Sequence, residues 1–193
     1  MEKKDTRLSI IRASVEIFAA KGYEKATLDE IAASAKIAKG TIFYNFKSKE
    51  EIFFAIIEEG TRDFVTMVNE GSARGKTPHE KLEIAYDTAF EFFTKYNNYC
   101  TILISELWRI RTRWNVEPTN LLDRYKQTIE TIFDEGKQDG EFRQDIETKD
   151  IGLIIFFLAA VSSLSKALSS DSKVDKKIFD HTRLIFLKGI SAN

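Results

Sequence analysis

The side chains of this chain best suited to chemistry are the hydroxyl, amide, aromatic and lysine groups between Lys39 and Lys49. A helix that begins near Lys39 and Gly40 buries Ile42 and Phe46, because residues four apart share one face. Its other face then carries polar and aromatic groups. Hydroxyl and amide groups read base edges in the major groove of DNA, aromatic rings pack on thymine methyl groups, and lysines hold phosphates. The stretch is therefore predicted to read DNA bases through Thr41, Tyr44 and Asn45, with Phe43 beside them.

A second short helix is predicted just before this one. Thr27 and Glu30 form an S/T-x-x-E capping box, and Ala26 and Ile31 occupy the positions of a hydrophobic staple. Apolar residues at spacings of three and four continue to Ala35, and a turn over 36–38 joins the two helices. Two short helices with a tight link are typical of a helix-turn-helix. The alternative is a small helical hairpin that merely exposes a few aromatic rings.

Longer helices are predicted on both sides of this pair. The first begins at Asp5 or Thr6 and stops at Gly22, where the chain must turn left-handed. Ser48 and Glu51 form another capping box, which opens a long helix after the pair. The pair is thus predicted to be braced from behind and connected forward by helices.

Two segments, 31–35 (IAASA) and 39–51 (KGTIFYNFKSKEE), resemble the DNA-binding signature of the TetR family of transcriptional regulators. The residues before Thr27 (FAAKGY, 18–23) are similar as well. The resemblance implies an all-α fold with a three-helix helix-turn-helix domain over 1–47 and a helical effector-binding and dimerisation domain over 48–193. One departure is Phe43, where the family often has tyrosine, so a phosphate contact from a hydroxyl is lost there.

The same resemblance implies a homodimeric repressor that a small hydrophobic or amphipathic effector releases from a palindromic operator. Each subunit would place the helix from Lys39 to Phe46 in a major groove, with the half-sites about 34–36 Å apart. Gly40 is expected to permit close approach to DNA. The expected phosphate contacts are Thr27, Lys39, Lys47 and Lys49.

Composition agrees with a helical protein. The 193 residues are 43% hydrophobic, with only two prolines and nine glycines. The net charge is −1, yet residues 1–50 contain ten Lys and Arg against seven Asp and Glu, so the basic excess lies beside the expected DNA contacts. A single cysteine, Cys100, and a charged start without a signal peptide lead us to expect a cytoplasmic protein with no membrane partner.

The middle helices are the candidate effector site, because aromatic rings and a few polar tips are the composition of a small-molecule pocket. Simple filling of a core is the alternative for each residue. Glu106 beside tryptophans would suit a cationic aromatic ligand, whereas Arg109 or Arg113 would suit a carboxylate or an acyl thioester. The candidate lining residues are Phe93, Tyr96, Leu103, Glu106, Trp108, Trp114, Tyr125 and Phe133.

The last two helices are apolar over a wide arc, most of all over 151–161. Such a helix is either enclosed by its own fold or shared between subunits. We expect a two-fold interface, as the family resemblance also implies through its four-helix bundle of two helices from each subunit. The predicted interface residues are Phe156, Val161, Leu164, Leu168, Phe186 and Ile190.

Nothing in the sequence favours catalysis. The two histidines, His79 and His181, are far apart, and no spacing of His, Cys or Asp suits a metal ion. No glycine-rich phosphate loop is present. We therefore expect no enzyme activity, metal or cofactor. The competing function is a helical ligand-binding dimer whose N-terminal domain docks a protein rather than DNA.

Overall fold

The computed structural model describes residues 3–114, 122–168 and 172–192, with side chains described except at 3–4, 106–114 and 161–176. The all-α prediction is confirmed, because the described chain forms helices joined by short links. A single antiparallel bridge between Phe142 and Ser191 is the only extended pairing found in these ranges. The helices are α1 Lys3–Lys21, α2 Leu28–Ser34, α3 Lys39–Asn45, α4 Lys49–Ser72, α5 Pro78–Lys95, α6 Asn97–Trp114, α7 Asp123–Gln138, α8 Thr148–Leu168 and α9 Ser172–Ile190.

The described residues pack into two compact units. The head unit contains the chain up to Thr61 and α6 from Asn98, and the body unit contains Arg62–Asn97 and the described residues from Leu122 onwards. Helix α4 therefore contributes its first half to the head unit and its second half to the body unit. This division describes packing, while the functional boundary after residue 47 stays a prediction.

Some helix ends follow local signals in the sequence and others do not. Helix α1 begins at Lys3, so Asp5 and Thr6 lie inside it rather than at its N-cap. It stops before Gly22, whose φ of 77° is the left-handed conformation expected at that position. Helix α5 starts with Thr77 as N-cap, whose hydroxyl accepts the N–H of Glu80, and Pro78 follows at the first position.

The core of the head unit joins α1 to α4. Phe18, Tyr23 and Phe53 form a cluster with ring centroids 5.1 to 6.4 Å apart. Helices α4 and α6 approach closely at Gly60, where a Cβ atom would lie 2.1 Å from the ring of Tyr99. A side chain at residue 60 would therefore force these helices apart.

The core of the body unit is aromatic. Phe64 of α4 lies among Phe92 and Phe93 of α5, Tyr125 of α7 and Phe156 of α8, with centroid distances of 4.9 to 5.8 Å. Such contacts stabilise through buried area and through the preferred edge-to-face geometry of the rings. Four helices are thus tied together at one point.

Helix α9 is fastened to α5 by a stacked ring pair and a polar cluster. Tyr86 stacks on Phe186 with 14° between the ring planes, and its hydroxyl lies 2.6 Å from that of Thr182. Next to this pair, Arg183 donates hydrogen bonds to Glu83 and Asp87. Neighbouring carboxylates raise the pKa of Arg183, with the hydrogen bond to Asp87 as the main cause.

Candidate functional site

The N-terminus of α2 is capped by the predicted box. The N–H of Glu30 donates to the Thr27 hydroxyl at 3.2 Å, and the N–H of Thr27 donates to the Glu30 carboxylate at 3.1 Å. A hydrogen bond from Lys21 and those from Thr27 lower the pKa of Glu30. The Thr27 hydroxyl also lies 3.1 Å from the same carboxylate. Thr27 is therefore engaged within the helix-turn-helix, and its predicted phosphate contact stays a prediction.

The turn between α2 and α3 is a Schellman motif. The N–H of Ile37 donates to the carbonyl of Ala32, and the N–H of Lys36 donates to that of Ala33. Lys36 has a φ of 56°, a left-handed conformation that glycine usually occupies. The position of the turn matches the prediction over 36–38, but the sequence gives no reason to expect this strain, because lysine is not a left-handed signal.

Helix α3 is divided into a buried face and an exposed one, as predicted. Ile42 and Phe46 are buried, and the guanidinium of Arg7 lies 4.6 Å from the Phe46 ring centroid. On the other side Phe43 is 52% exposed and Tyr44 is 73% exposed. The helix is therefore anchored from behind and offers aromatic side chains outwards.

Asn45 is less exposed than Phe43 and Tyr44, and its side chain bonds to its own helix. Its side-chain amide donates to the carbonyl of Thr41 at 2.8 Å, and its Oδ1 atom is buried without a hydrogen-bond partner among the described residues. A base contact by Asn45 requires its side chain to rotate away from the helix.

Thr41 is half-buried, and Gly40 is exposed with nothing within 4 Å of an added Cβ. An outside partner can therefore approach the backbone there closely.

The three predicted phosphate-binding lysines have different surroundings. Lys39 forms an ion pair of 2.9 Å with Asp29, and both side chains are at least half exposed. Lys47 is exposed. Lys49, in contrast, donates to the backbone carbonyls of Tyr23, Glu24 and Ala26 and lies over the Tyr23 ring. Its ammonium group therefore stabilises the α1–α2 link, and its predicted phosphate contact stays a prediction.

Two of the eight predicted effector residues meet in the aromatic core of the body unit. Phe93 and Tyr125 are both buried there, and burial raises the pKa of the Tyr125 hydroxyl well above its ordinary value. This hydroxyl has no hydrogen-bond partner among the described residues. Phe64 and Phe156 are ring neighbours of Tyr125 that the sequence did not predict, because those contacts cross between helices far apart in the chain.

The other predicted effector residues do not share that position. Phe133 stacks on Phe142, Tyr96 is 38% exposed beside Phe92, and Leu103 is buried on α6 in the head unit. These three are therefore explained by ordinary packing. The side chains of Glu106, Trp108 and Trp114 lie outside the described residues.

The predicted interface residues on the last two helices are largely internal. Phe156, Phe186 and Ile190 are buried within the subunit, because Phe156 faces Phe64 and Phe186 stacks on Tyr86. Each of these three side chains thus has partners inside its own subunit, and its place in a dimer interface stays a prediction. The side chains of Val161, Leu164 and Leu168 lie outside the described residues. Among the described side chains of α8 and α9, the large apolar ones that are exposed are Ile154, Phe157, Leu184 and Ile185.

Other kinds of site find no support in the described part of the chain. It contains no group of three His, Cys, Asp or Glu residues able to hold a metal ion. No helix within the described ranges has the length and hydropathy needed to cross a bilayer. Cys100 is buried, and burial raises the pKa of its thiol to about 12, so the reactive thiolate is strongly disfavoured.

Comparison with known proteins identifies two matched parts of the chain. Residues 10–56 match the sequence model described as bacterial regulatory proteins, tetR family, and residues 75–164 match the tetracyclin repressor-like C-terminal domain. The matched ranges contain the helix-turn-helix and most of the body unit.

The chain is similar to bacterial regulators of fatty acid metabolism in sequence and in fold. The fatty acid metabolism regulator protein of Bacillus subtilis is 27% identical over 155 residues, covering 80% of each chain. A solved structure described as a Clostridium perfringens fatty acid metabolism regulator is 30% identical, covers 94% of this chain and 98% of that one, and has a TM-score of 0.81. The structure of regulator FadR from Bacillus subtilis with stearoyl-CoA is 23% identical, covers 95% and 98%, and has a TM-score of 0.77.

Proposed function

Because this chain belongs to the TetR family of bacterial transcriptional regulators, we propose that it represses transcription as a homodimer that an acyl-CoA releases from DNA. The observation that carries the DNA half of this proposal is the exposed face of α3. There Phe43 and Tyr44 project outwards while Ile42 and Phe46 anchor the helix from behind. A helix held in this way presents a fixed surface to a major groove.

Within that groove, Thr41 and Tyr44 read base edges and Phe43 packs on thymine methyl groups or sugars. Lys39 and Lys47 bind phosphates, and Gly40 lets the helix start lie close to the DNA backbone. Asn45 reads a base only after its amide leaves the Thr41 carbonyl, so its contribution is smaller than that of Tyr44. Two such helices in a dimer contact half-sites about 34–36 Å apart.

Dimerisation uses the exposed apolar residues of α8 and α9. Ile185 is 71% exposed and Phe157 is 53% exposed, while neighbouring Phe186 is buried in its own subunit. Ile185→Asp therefore yields folded monomers by light scattering, since it places an unpaired charge in the interface. Phe186→Asp, the matched control, loses folded protein instead. A dimeric Ile185→Asp variant would move the interface elsewhere.

The effector half rests on two supports. The similar regulator from Bacillus subtilis was solved with stearoyl-CoA, and a relative from Clostridium perfringens is described as a fatty acid metabolism regulator. In this chain, the aromatic core of the body unit supplies apolar side chains that an acyl chain would contact. The ligand releases DNA only to the extent that it binds the non-binding conformation more tightly.

The DNA assignment is tested by titrating labelled DNA from around the protein's own coding region. Wild type binds one fragment specifically, and its affinity falls as salt rises because lysines release counterions from phosphates. Tyr44→Ala weakens specific binding by about 1–3 kcal/mol and leaves the dimer intact. Salt-insensitive binding, or unchanged affinity of Tyr44→Ala, would favour a head that docks a protein.

A further inference from the structure

Two buried tyrosines of the body unit differ in one respect. Tyr86 and Tyr125 both have 0% of their surface exposed. The hydroxyl of Tyr86 lies 2.6 Å from that of Thr182, so its hydrogen-bonding capacity is used. The hydroxyl of Tyr125 has no partner among the backbone and side-chain groups that the structure describes. The same chemical group is therefore satisfied at one position and unsatisfied at the other.

The unsatisfied hydroxyl is costly where it lies. A buried polar group without a partner costs about 1–3 kcal/mol, and native proteins pair nearly all such groups. Phenylalanine would fill the same space against Phe64 and Phe156 without this cost, since the contacts there are between rings. The ring of Tyr125 thus accounts for the packing, and its oxygen remains to be explained.

We propose that the Tyr125 hydroxyl is the polar anchor of the effector, donating a hydrogen bond to the carbonyl oxygen of a bound acyl thioester. This inference rests on the acyl-CoA effector proposed above. It assigns the acyl chain to the rings of α4, α5, α7 and α8 around Tyr125. The hydroxyl then favours, among apolar ligands, those whose carbonyl group lies within hydrogen-bonding distance of it.

The described surroundings of Tyr125 favour a neutral ligand group. Its ring neighbours within the described residues are phenylalanines, which offer no counter-ion, and a buried charge without a partner is strongly disfavoured. A carboxylate or the phosphates of coenzyme A therefore do not lie against this hydroxyl. Its raised pKa keeps the proton in place at neutral pH, so Tyr125 acts as a hydrogen-bond donor to an uncharged oxygen.

The test compares two proteins with two ligands. Stearoyl-CoA is compared with S-octadecyl-CoA, a thioether of equal chain length that lacks the carbonyl oxygen. In wild type, stearoyl-CoA binds more tightly than the thioether, and Tyr125→Phe weakens stearoyl-CoA binding about 2- to 13-fold. The same variant leaves the affinity for the thioether unchanged. The two losses are thus not additive, as expected of groups that contact each other.

Thermal unfolding without ligand supplies the control for folding. Tyr125→Phe raises the melting temperature, because it removes an unpaired buried hydroxyl, while Tyr86→Phe lowers it by breaking the bond to Thr182. Tyr86→Phe leaves the preference for the thioester over the thioether as in wild type. A folded Tyr125→Phe protein is therefore a valid reporter of ligand binding.

Two contrary results have different meanings. If stearoyl-CoA binds wild type and releases DNA, but Tyr125→Phe loses affinity for both ligands equally or for neither, the anchor is overturned and the proposed function stands. If stearoyl-CoA does not bind wild type that still binds operator DNA, the acyl-CoA effector is wrong and the anchor is overturned with it.

Discussion

The helix-turn-helix, formed by α2 and α3, and the aromatic core of the body unit differ in how far apart along the chain their contacting residues lie. Helices α2 and α3 are fixed by hydrogen bonds between residues three to five apart, such as those of Thr27 with Glu30 and of Ile37 with Ala32. The core joins Phe64 to Phe156, 92 positions further on. Short-range bonds give a small rigid surface, whereas long-range ring contacts make one cooperative core of four helices.

This difference separates the effects of mutations. A change at the surface of α3 removes an interaction with DNA and leaves the aromatic core untouched. A change in the core removes contacts from several helices simultaneously, because each ring touches two or more others. We therefore expect mutations on the surface of α3 to weaken DNA binding, and mutations in the aromatic core to reduce stability.

The largest effect is expected in the core. Phe64→Ala removes a ring in contact with Phe92, Phe93, Tyr125 and Phe156, so we expect a loss of about 3–5 kcal/mol in the free energy of unfolding. Chemical denaturation followed by circular dichroism measures it. Tyr96→Ala, which removes a partly exposed ring, serves as control and costs less. Equal losses in the two variants would contradict the central role of Phe64.

An intermediate effect separates two lysines that are two residues apart. Lys49→Met removes three hydrogen bonds to backbone carbonyls and is expected to cost about 2 kcal/mol of stability. In this variant, the dependence of DNA affinity on salt concentration is the same as in wild type. Lys47→Met leaves stability unchanged but reduces the slope of log affinity against log salt by about 0.9 per subunit. The reverse pattern would mean that Lys49 contacts phosphate and Lys47 is structural.

The smallest effect concerns the turn between α2 and α3. Lys36→Gly relieves a left-handed lysine, so we expect the head to gain about 1 kcal/mol in stability. Ala33→Gly, three residues earlier and inside α2, is the matched control and loses about 1 kcal/mol. Hydrogen exchange of the α2 and α3 amides measures both changes. A loss of protection in Lys36→Gly would show that the lysine side chain stabilises the turn.

Helices α2 and α3 are predictable from the sequence because their contacts join residues that are close along the chain. Capping residues, apolar spacing and turns act within a few residues, so the sequence alone places Thr27, Ile42 and Phe46 correctly. The internal partners of Lys49 are missed because they lie 23 to 26 residues earlier. A lysine that follows a DNA-reading helix has the same local pattern whether it binds phosphate or a carbonyl.

The body unit is less predictable from the sequence. A helix that is apolar all round, such as α8, does not reveal which side faces its own fold, so the sequence places Phe156 at an interface and leaves exposed Phe157 out of it. The predicted effector residues follow from composition, and Tyr125 alone among the described ones combines complete burial with an unsatisfied hydroxyl. These distinctions depend on contacts between distant helices, which spacing along the chain does not encode.

DNA reading by α3 is tested most directly by DNase footprinting of the purified protein on DNA around its own coding region, at near-physiological salt. We predict one protected palindrome whose half-sites are about one helical turn apart, and its loss with Tyr44→Ala at the same protein concentration. Protection that survives Tyr44→Ala unchanged, or no protected site across this region by folded dimer, would contradict DNA reading by the exposed face of α3.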